Sequence, residues 1–216
     1  MRLRIVYDND AEEGFRKGWG FSCLVGEELL FDTGADLSSL LYNMCRFGVE
    51  LERISKILLS HEHGDHIGGI RILERLGRTE VFVPRSFSSC FKEWVRSHPN
   101  AEHVEIAAKQ EICQGIFTTG KLGSGLKEQS LIVQTENGLT LITGCAHPGL
   151  EDILRSTSEF GKVCGVVGSF HGFDRLDVLK RMHLILSCHF TTHKKAILSL
   201  YPESSVKCSV GCVVEI

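Results

Sequence analysis

The 216-residue sequence has no charge excess of either sign: 24 Lys and Arg stand against 27 Asp and Glu, a formal net charge of −3. Without a broad basic surface to neutralise a phosphate backbone, nucleic acid is excluded as the expected partner and a small-molecule substrate is favoured. There is no apolar run long enough to cross a bilayer. The opening "MRLRIVYDNDAEEG" turns acidic before a secretory h-region could form, so a cytoplasmic protein with no membrane partner is expected. The chain also lacks any CxxC pair, and its nine cysteines cannot all pair, which rules out a complete disulfide framework. Cys23, Cys45, Cys90, Cys113, Cys164 and Cys212 read as small hydrophobes beside apolar segments. No linker, internal repeat or low-complexity run interrupts a composition that is 43% hydrophobic and 24% charged. One domain spanning residues 1–216 is therefore expected.

What is present is a rich set of short strands. Apolar and β-branched runs bounded by glycine or charge occur at "LRIVY", "FSCLV", "ELLFDTG", "SKILLS", "EVFVP", "QSLIVQT", "LTLITG", "KVCGVVG", "HLILS" and "KCSVGCVVEI". Leu37, Leu40, Leu41 and Met44 share a helical face behind a cap at Asp36, and Ile67, Ile70, Leu73 and Leu76 share one behind Asp65. Further helices are expected over 87–95, 150–156, 175–181 and 194–200. Hairpin signals dominate the early part, and strands alternate with helices later. That order predicts an α/β (α+β) fold of two mixed β-sheets packed together and flanked by helices.

Chemistry concentrates in "LLSHEHGDHIGG", which places His61, His63, Asp65 and His66 between a buried strand and a glycine pair. Imidazole and carboxylate are the side chains that hold divalent ions through N and O. In an extended stretch His61 and His63 point the same way, while Asp65 and His66 sit at the turn into a helix and reach a second ion. Gly68 and Gly69 permit close approach of that helix. Other strand ends add Cys145 and His147, then His171, then Cys188, His189 and His193. His147 and His189 are the expected further metal ligands, and His171 is a ligand or an acid/base. His98 and His103 read as residues of a polar loop, His183 as a strand start and His193 as a helix cap.

A divalent ion in this setting, zinc first and Mn, Fe or Mg as alternatives, lowers the pKa of bound water from 15.7 to roughly 7. Asp65 is placed to orient or deprotonate that water, so attack by a metal-bound hydroxide is the default chemistry. "GKLGSGLKEQS" offers Lys121 and Lys127, of which Lys127 is the candidate for substrate phosphate, although the GK[ST] ending of a P-loop is absent. Trp19 and Phe21 line a pocket for a flat heterocycle or pack in the core.

"HEHGDH", preceded by "FDTG" and followed by strand-end histidines, resembles the HxHxDH signature of the metallo-β-lactamase superfamily. The resemblance implies an αββα sandwich, a site for one or two metal ions at the sheet edge, and hydrolysis of a small ester, lactone or phosphorylated compound. It implies an outer role for Asp32, hydrogen-bonding loop amides rather than binding metal. "GWGFSCLV", "LLFDTGAD", "KEQSL", "ITGCAHPG" and "VVGSFHG" are similar to the dihydropterin-6-methyl-(ribofuranosyl)aminobenzene-5′-phosphate synthase subgroup. That likeness implies the alternative of a transferase that releases pyrophosphate in methanopterin-type cofactor synthesis. Two departures stand out. Cys145 falls where hydrolytic members carry a bridging Asp, so it stands behind the metal ligands or is one of them, and "HFTTHKKA" replaces the subgroup's HCTGxxA. A di-iron redox or gas-binding centre is disfavoured, because iron-binding relatives carry a carboxylate where His63 stands.

Overall fold

A computed structural model describes residues 1–216. The chain divides into two compact units, Met1–Ala107 with Ser209–Ile216, and Ala108–Cys208. In the first, β1 (Arg2–Tyr7), β2 (Ser22–Val25) and β3 (Leu29–Phe31) form an antiparallel meander, with a long loop between β1 and β2 and a tight turn between β2 and β3. Longer crossovers then bring β4 (Lys56–Leu58), β5 (Thr79–Pro84) and β6 (Ala101–Ile106) in parallel to β3. The crossovers carry α1 (Leu37–Arg46), α2 (Gly64–Ile67) and α3 (Ser89–Arg96). A core of Leu24, Leu30, Leu40, Met44, Ile57, Leu73, Val81 and Val95 lies under these helices.

The second unit contains β7 (Gln110–Cys113), β8 (Ile116–Thr118), β9 (Leu131–Thr135), β10 (Gly138–Thr143), β11 (Val163–Gly168), β12 (Leu184–Ser187) and β13 (Ser205–Lys207). The first four are antiparallel and the last four parallel, in the order β13-β12-β11-β10-β9-β8-β7. α4 (Leu150–Thr157) and α5 (Lys194–Leu200) bury Leu150, Ile153, Leu154 and Ile197 in a core with Leu141, Val166 and Ile185. The chain ends in β14 (Val213–Glu215), which pairs antiparallel with β1 and completes the first sheet as β14-β1-β2-β3-β4-β5-β6. Each sheet is thus mixed and carries helices, as the strand and helix patterns predict.

Asp36 caps α1, accepting from the Ser39 amide at 2.8 Å and from the Tyr7 hydroxyl at 2.7 Å. Burial and the neighbouring Asp36 both push the Tyr7 hydroxyl above its ordinary range. Burial alone would raise the Asp36 carboxyl, but the hydrogen bonds from Ser39 and Tyr7 together hold it below its ordinary value.

Four expectations change. The stretch after Asp65 is not one helix: α2 stops at Gly68, and Ile70–Arg75 is a 3-10 helix. Ile70, Leu73 and Leu76 recur every three residues, which is the 3-10 period, so they still share a buried face. Leu176–Arg181 is 3-10 for the same reason. "KCSVGCVVEI" splits into the end of β13 and β14, which belong to different sheets. The region of His98 and His103 is not only a loop, since His103 lies within β6 and pairs with Val81. Strands β6, β7 and β8 went unmarked because two are sheet edges with charged outward positions and the third has three residues.

Candidate metal and active site

Parallel pairing in register decides where the reactive side chains emerge. Phe31 of β3 stands beside Leu58 of β4, so Asp32 and the His61–His66 loop leave the same edge of the first sheet. Thr143, Gly168 and Ser187 stand in register across β10, β11 and β12, so the loops of His147, His171 and His189 leave one edge of the second. The non-glycine residues with left-handed backbone are Asp32 (φ 53°), Ala146 (φ 55°), His171 (φ 48°) and His189 (φ 36°). All follow these strand ends. Such conformations cost about 1–3 kcal/mol each and persist only where the surrounding structure holds them.

In the first unit a fully buried Asp32 organises the loop. Its Oδ1 accepts from the Ser60 amide at 2.7 Å. Its Oδ2 accepts from the Ser60 hydroxyl at 2.7 Å and from His66 Nδ1 at 2.7 Å. Because the Ser60 proton goes to the carboxylate, the 2.9 Å contact between Ser60 Oγ and His61 is a donation from His61 Nδ1. Both buried imidazoles are thereby set to the tautomer with the lone pair on Nε2, the form that binds a cation. His61 Nε2 lies 3.1 Å from His63 Nδ1, and His66 Nε2 lies 3.9 Å from Asp65 Oδ2. Donors sharing one tetrahedral ion with bonds near 2.0–2.2 Å stand roughly 3.3 Å apart, so the donor set fits a divalent metal.

The loop is held from outside as well. The Glu62 carboxylate accepts from the Ser88 amide at 2.6 Å and the Ser88 hydroxyl at 2.5 Å. The glycine pair does what its position suggests: a Cβ at Gly68 would stand 2.0 Å from the Ala35 carbonyl oxygen, and one at Gly69 2.3 Å from that of Thr33. That closeness lets the Thr33 amide and hydroxyl donate to the His66 carbonyl at 2.7 and 3.0 Å.

The second unit holds a residue that the sequence reading passed over. Glu128, fully buried, accepts on Oε1 from the Thr143 hydroxyl (2.9 Å) and from the amides of Gly144 (3.0 Å), Cys145 (3.0 Å) and Ala146 (3.1 Å). Its Oε2 accepts from the His147 amide at 2.9 Å. The available signal was a lone carboxylate in the otherwise apolar and amide-bearing "KEQSLIV". The ring centroids of His147 and His171 are 5.4 Å apart, and those of His171 and Phe190 4.7 Å. His189 is buried and His171 exposed. A cavity of about 310 Å³ is lined by Ala146, His147, Gly149, Leu150, Phe170, His171, Gly172 and Phe173, with no lysine or arginine on its wall.

Elsewhere the predictions divide. The Lys127 ammonium donates to the carbonyls of Gly123 and Ser124 in its own loop. Phe21 is a core residue with its ring edge-on to Phe31, whereas Trp19 is 57% exposed. None of the nine cysteines forms a disulfide. Cys23, Cys164 and Cys212 are buried as expected, but Cys45 and Cys90 are exposed and Cys113 half-buried, because the helices and edge strand that carry them bury other faces. His193 occupies the N-cap position of α5 without a side-chain capping bond. No helix is long and apolar enough to cross a membrane.

Two mixed sheets that present histidine and carboxylate donors at the carboxyl ends of parallel strands define a class of metal-binding α/β enzymes. Within that class, the chain belongs to the metallo-beta-lactamase superfamily, whose model matches residues 23–175. The 7,8-dihydropterin-6-methyl-4-(beta-D-ribofuranosyl)-aminobenzene-5′-phosphate synthase of Methanocaldococcus jannaschii is 24% identical, over 69% of this chain and 67% of its own length. An uncharacterised protein of the same archaeon, MJ0448, is 25% identical over 78% of each. Among solved structures, Tm1679, described as a metal-dependent hydrolase of the beta-lactamase superfamily, superposes with a TM-score of 0.83 at 26% identity, covering 100% and 99% of the two chains. YhfI of Bacillus subtilis, at 13% identity, TM-score 0.70 and 99% coverage of each chain, shares the fold.

Proposed function

We propose that this protein is a metal-dependent hydrolase of a small ester, lactone or phosphorylated compound, working as a single metallo-β-lactamase-like domain over residues 1–216. The observation that carries the reading is the Asp32–Ser60 arrangement, which sets His61 and His66 to the ligating tautomer. The proposed metal ligands are His61, His63, Asp65 and His66 in the first unit and His147 and His189 in the second. One or two divalent ions, zinc first, are the cofactor. Bound there, such an ion supplies a Lewis acid that makes water available as a nucleophile near pH 7.

The chain's own residues do the rest. Asp65, half-buried, orients the attacking water and takes its proton. His171, exposed beside the cavity, returns a proton to the leaving group. A wall with Phe170, Phe173 and Leu150 and without lysine or arginine favours an uncharged substrate portion over a phosphate. Likeness to Tm1679 agrees with hydrolysis. In the test, purified chain is assayed for metal content and for turnover of an ester panel, alongside His63→Ala and Asp65→Ala. Turnover lost in both variants supports the reading; unchanged turnover refutes it.

A second reading, group transfer with release of pyrophosphate, is favoured by the likeness to the archaeal synthase. It requires Lys127 to leave the Gly123 and Ser124 carbonyls for a phosphate. Pyrophosphate release that depends on both a pterin diphosphate and an arylamine decides for it.

A further inference from the structure

Four consecutive amides, Gly144 to His147, converge on one carboxylate buried within the same unit. Successive backbone amides converge on one point where right- and left-handed residues alternate, and the left-handed member here is Ala146 at φ 55°. Such a concavity binds anions. Open beside a cavity, it would hold the negative oxygen of a reacting substrate. Glu128 fills it from inside, so these amides are not available to stabilise developing charge on a substrate.

We infer that Glu128 is a positioning residue: it fixes the turn after β10 so that His147 is aimed and held. For its metal readout the inference rests on the hydrolase reading above. Burying a carboxylate without partners costs several kcal/mol, and this one is kept because five donors meet it. The five are unequally shared. Oε1 takes Thr143, Gly144, Cys145 and Ala146, while Oε2 takes His147. His147 therefore hangs from a different oxygen than the rest of the turn.

That asymmetry makes Glu128→Gln selective. With its carbonyl at the crowded position, glutamine keeps four bonds and sets its NH₂ against the His147 amide, donor against donor. The full-length chain and the variant are compared by amide hydrogen exchange without metal and by zinc affinity in competition with a chelator. The expected result is a His147 amide that exchanges at least about tenfold faster, amides of Gly144 to Ala146 and β10 unchanged, and zinc affinity lowered about 10–100-fold.

Zinc affinity within twofold of the parent, whether or not the amide is released, overturns the inference. So does faster exchange spread along β10 instead of at His147. If the glutamine variant does not fold, Glu128→Asp, which keeps the charge on a shorter arm, is judged by the same two readouts. A parent chain that takes up no zinc overturns the hydrolase reading instead, and exchange then decides alone whether Glu128 fixes His147.

Discussion

Asp32 in the first unit and Glu128 in the second are both fully buried carboxylates behind a histidine-bearing loop, yet they grip different parts of the chain. Asp32 takes two of its three bonds from side chains, the Ser60 hydroxyl and His66 Nδ1, and through Ser60 it also sets His61. Glu128 takes four bonds from main-chain amides. The first carboxylate decides which nitrogen of a ring carries the proton. The second decides where the Cα of the histidine stands. An imidazole donor needs both, since a correctly protonated ring in the wrong place and a well-placed ring in the wrong tautomer are equally poor ligands.

The largest effect expected from breaking this pair is Asp32→Ala. It strands the Ser60 amide and His66 Nδ1 in a buried site, and at about 1–3 kcal/mol for each lost partner the chain loses roughly 3–5 kcal/mol, read as a lower urea midpoint at unchanged slope. An unaltered midpoint would mean that water or another group replaces the carboxylate. Ser60→Ala removes the hydroxyl that links Asp32 to His61 and keeps the bonds of the Ser60 amide and His66 to Asp32. It should cost about 1–2 kcal/mol and shift the His61 tautomer balance in nitrogen NMR, leaving the His66 ring as before.

A third carboxylate, Asp36, serves as the pH-sensitive control. Its folded value lies below the ordinary 3.8, so its stabilisation is fully present above 3.8 and disappears as pH falls through the folded value. Asp36→Ala should therefore cost about 1 kcal/mol at pH 7, the usual worth of a helix N-cap, with the gap to the parent closing in acid. A gap that stays constant down to pH 2 would contradict the assignment. The smallest change is expected from Thr143→Val, which removes the hydroxyl donor to Glu128 Oε1 and leaves the four amides. Thermal melts should show a loss of about 1 kcal/mol or less, and zinc titration an affinity kept within about threefold.

Much of the fold was legible because its strands are short apolar runs between glycines. Helices α1, α4 and α5 carry their caps or apolar faces in full view: Asp36 before α1, and Leu150, Ile153 and Leu154 along α4. Where the reading failed, two physical causes suffice. A three-residue spacing serves 3-10 and α-helix alike over two turns, which misled at Ile70–Arg75 and Leu176–Arg181. Edge strands such as β6 need only one buried face, so their polar residues hide the period.

The sequence by itself determined which side chains could ligate metal, because residue type and spacing at "HEHGDH" and after "LITG" and "LILS" are properties of the chain alone. The likeness of "FDTG" to the superfamily implied that a carboxylate, Asp32, would stand behind the first loop. Tertiary structure alone decided what that carboxylate does: His66 is 34 positions away, and only the parallel register of β3 and β4 brings it within 2.7 Å. The same holds for Glu128, whose partners lie 15 to 19 positions on. A buried charge acquires its role from donors delivered by folding, and nothing in its local sequence announces them.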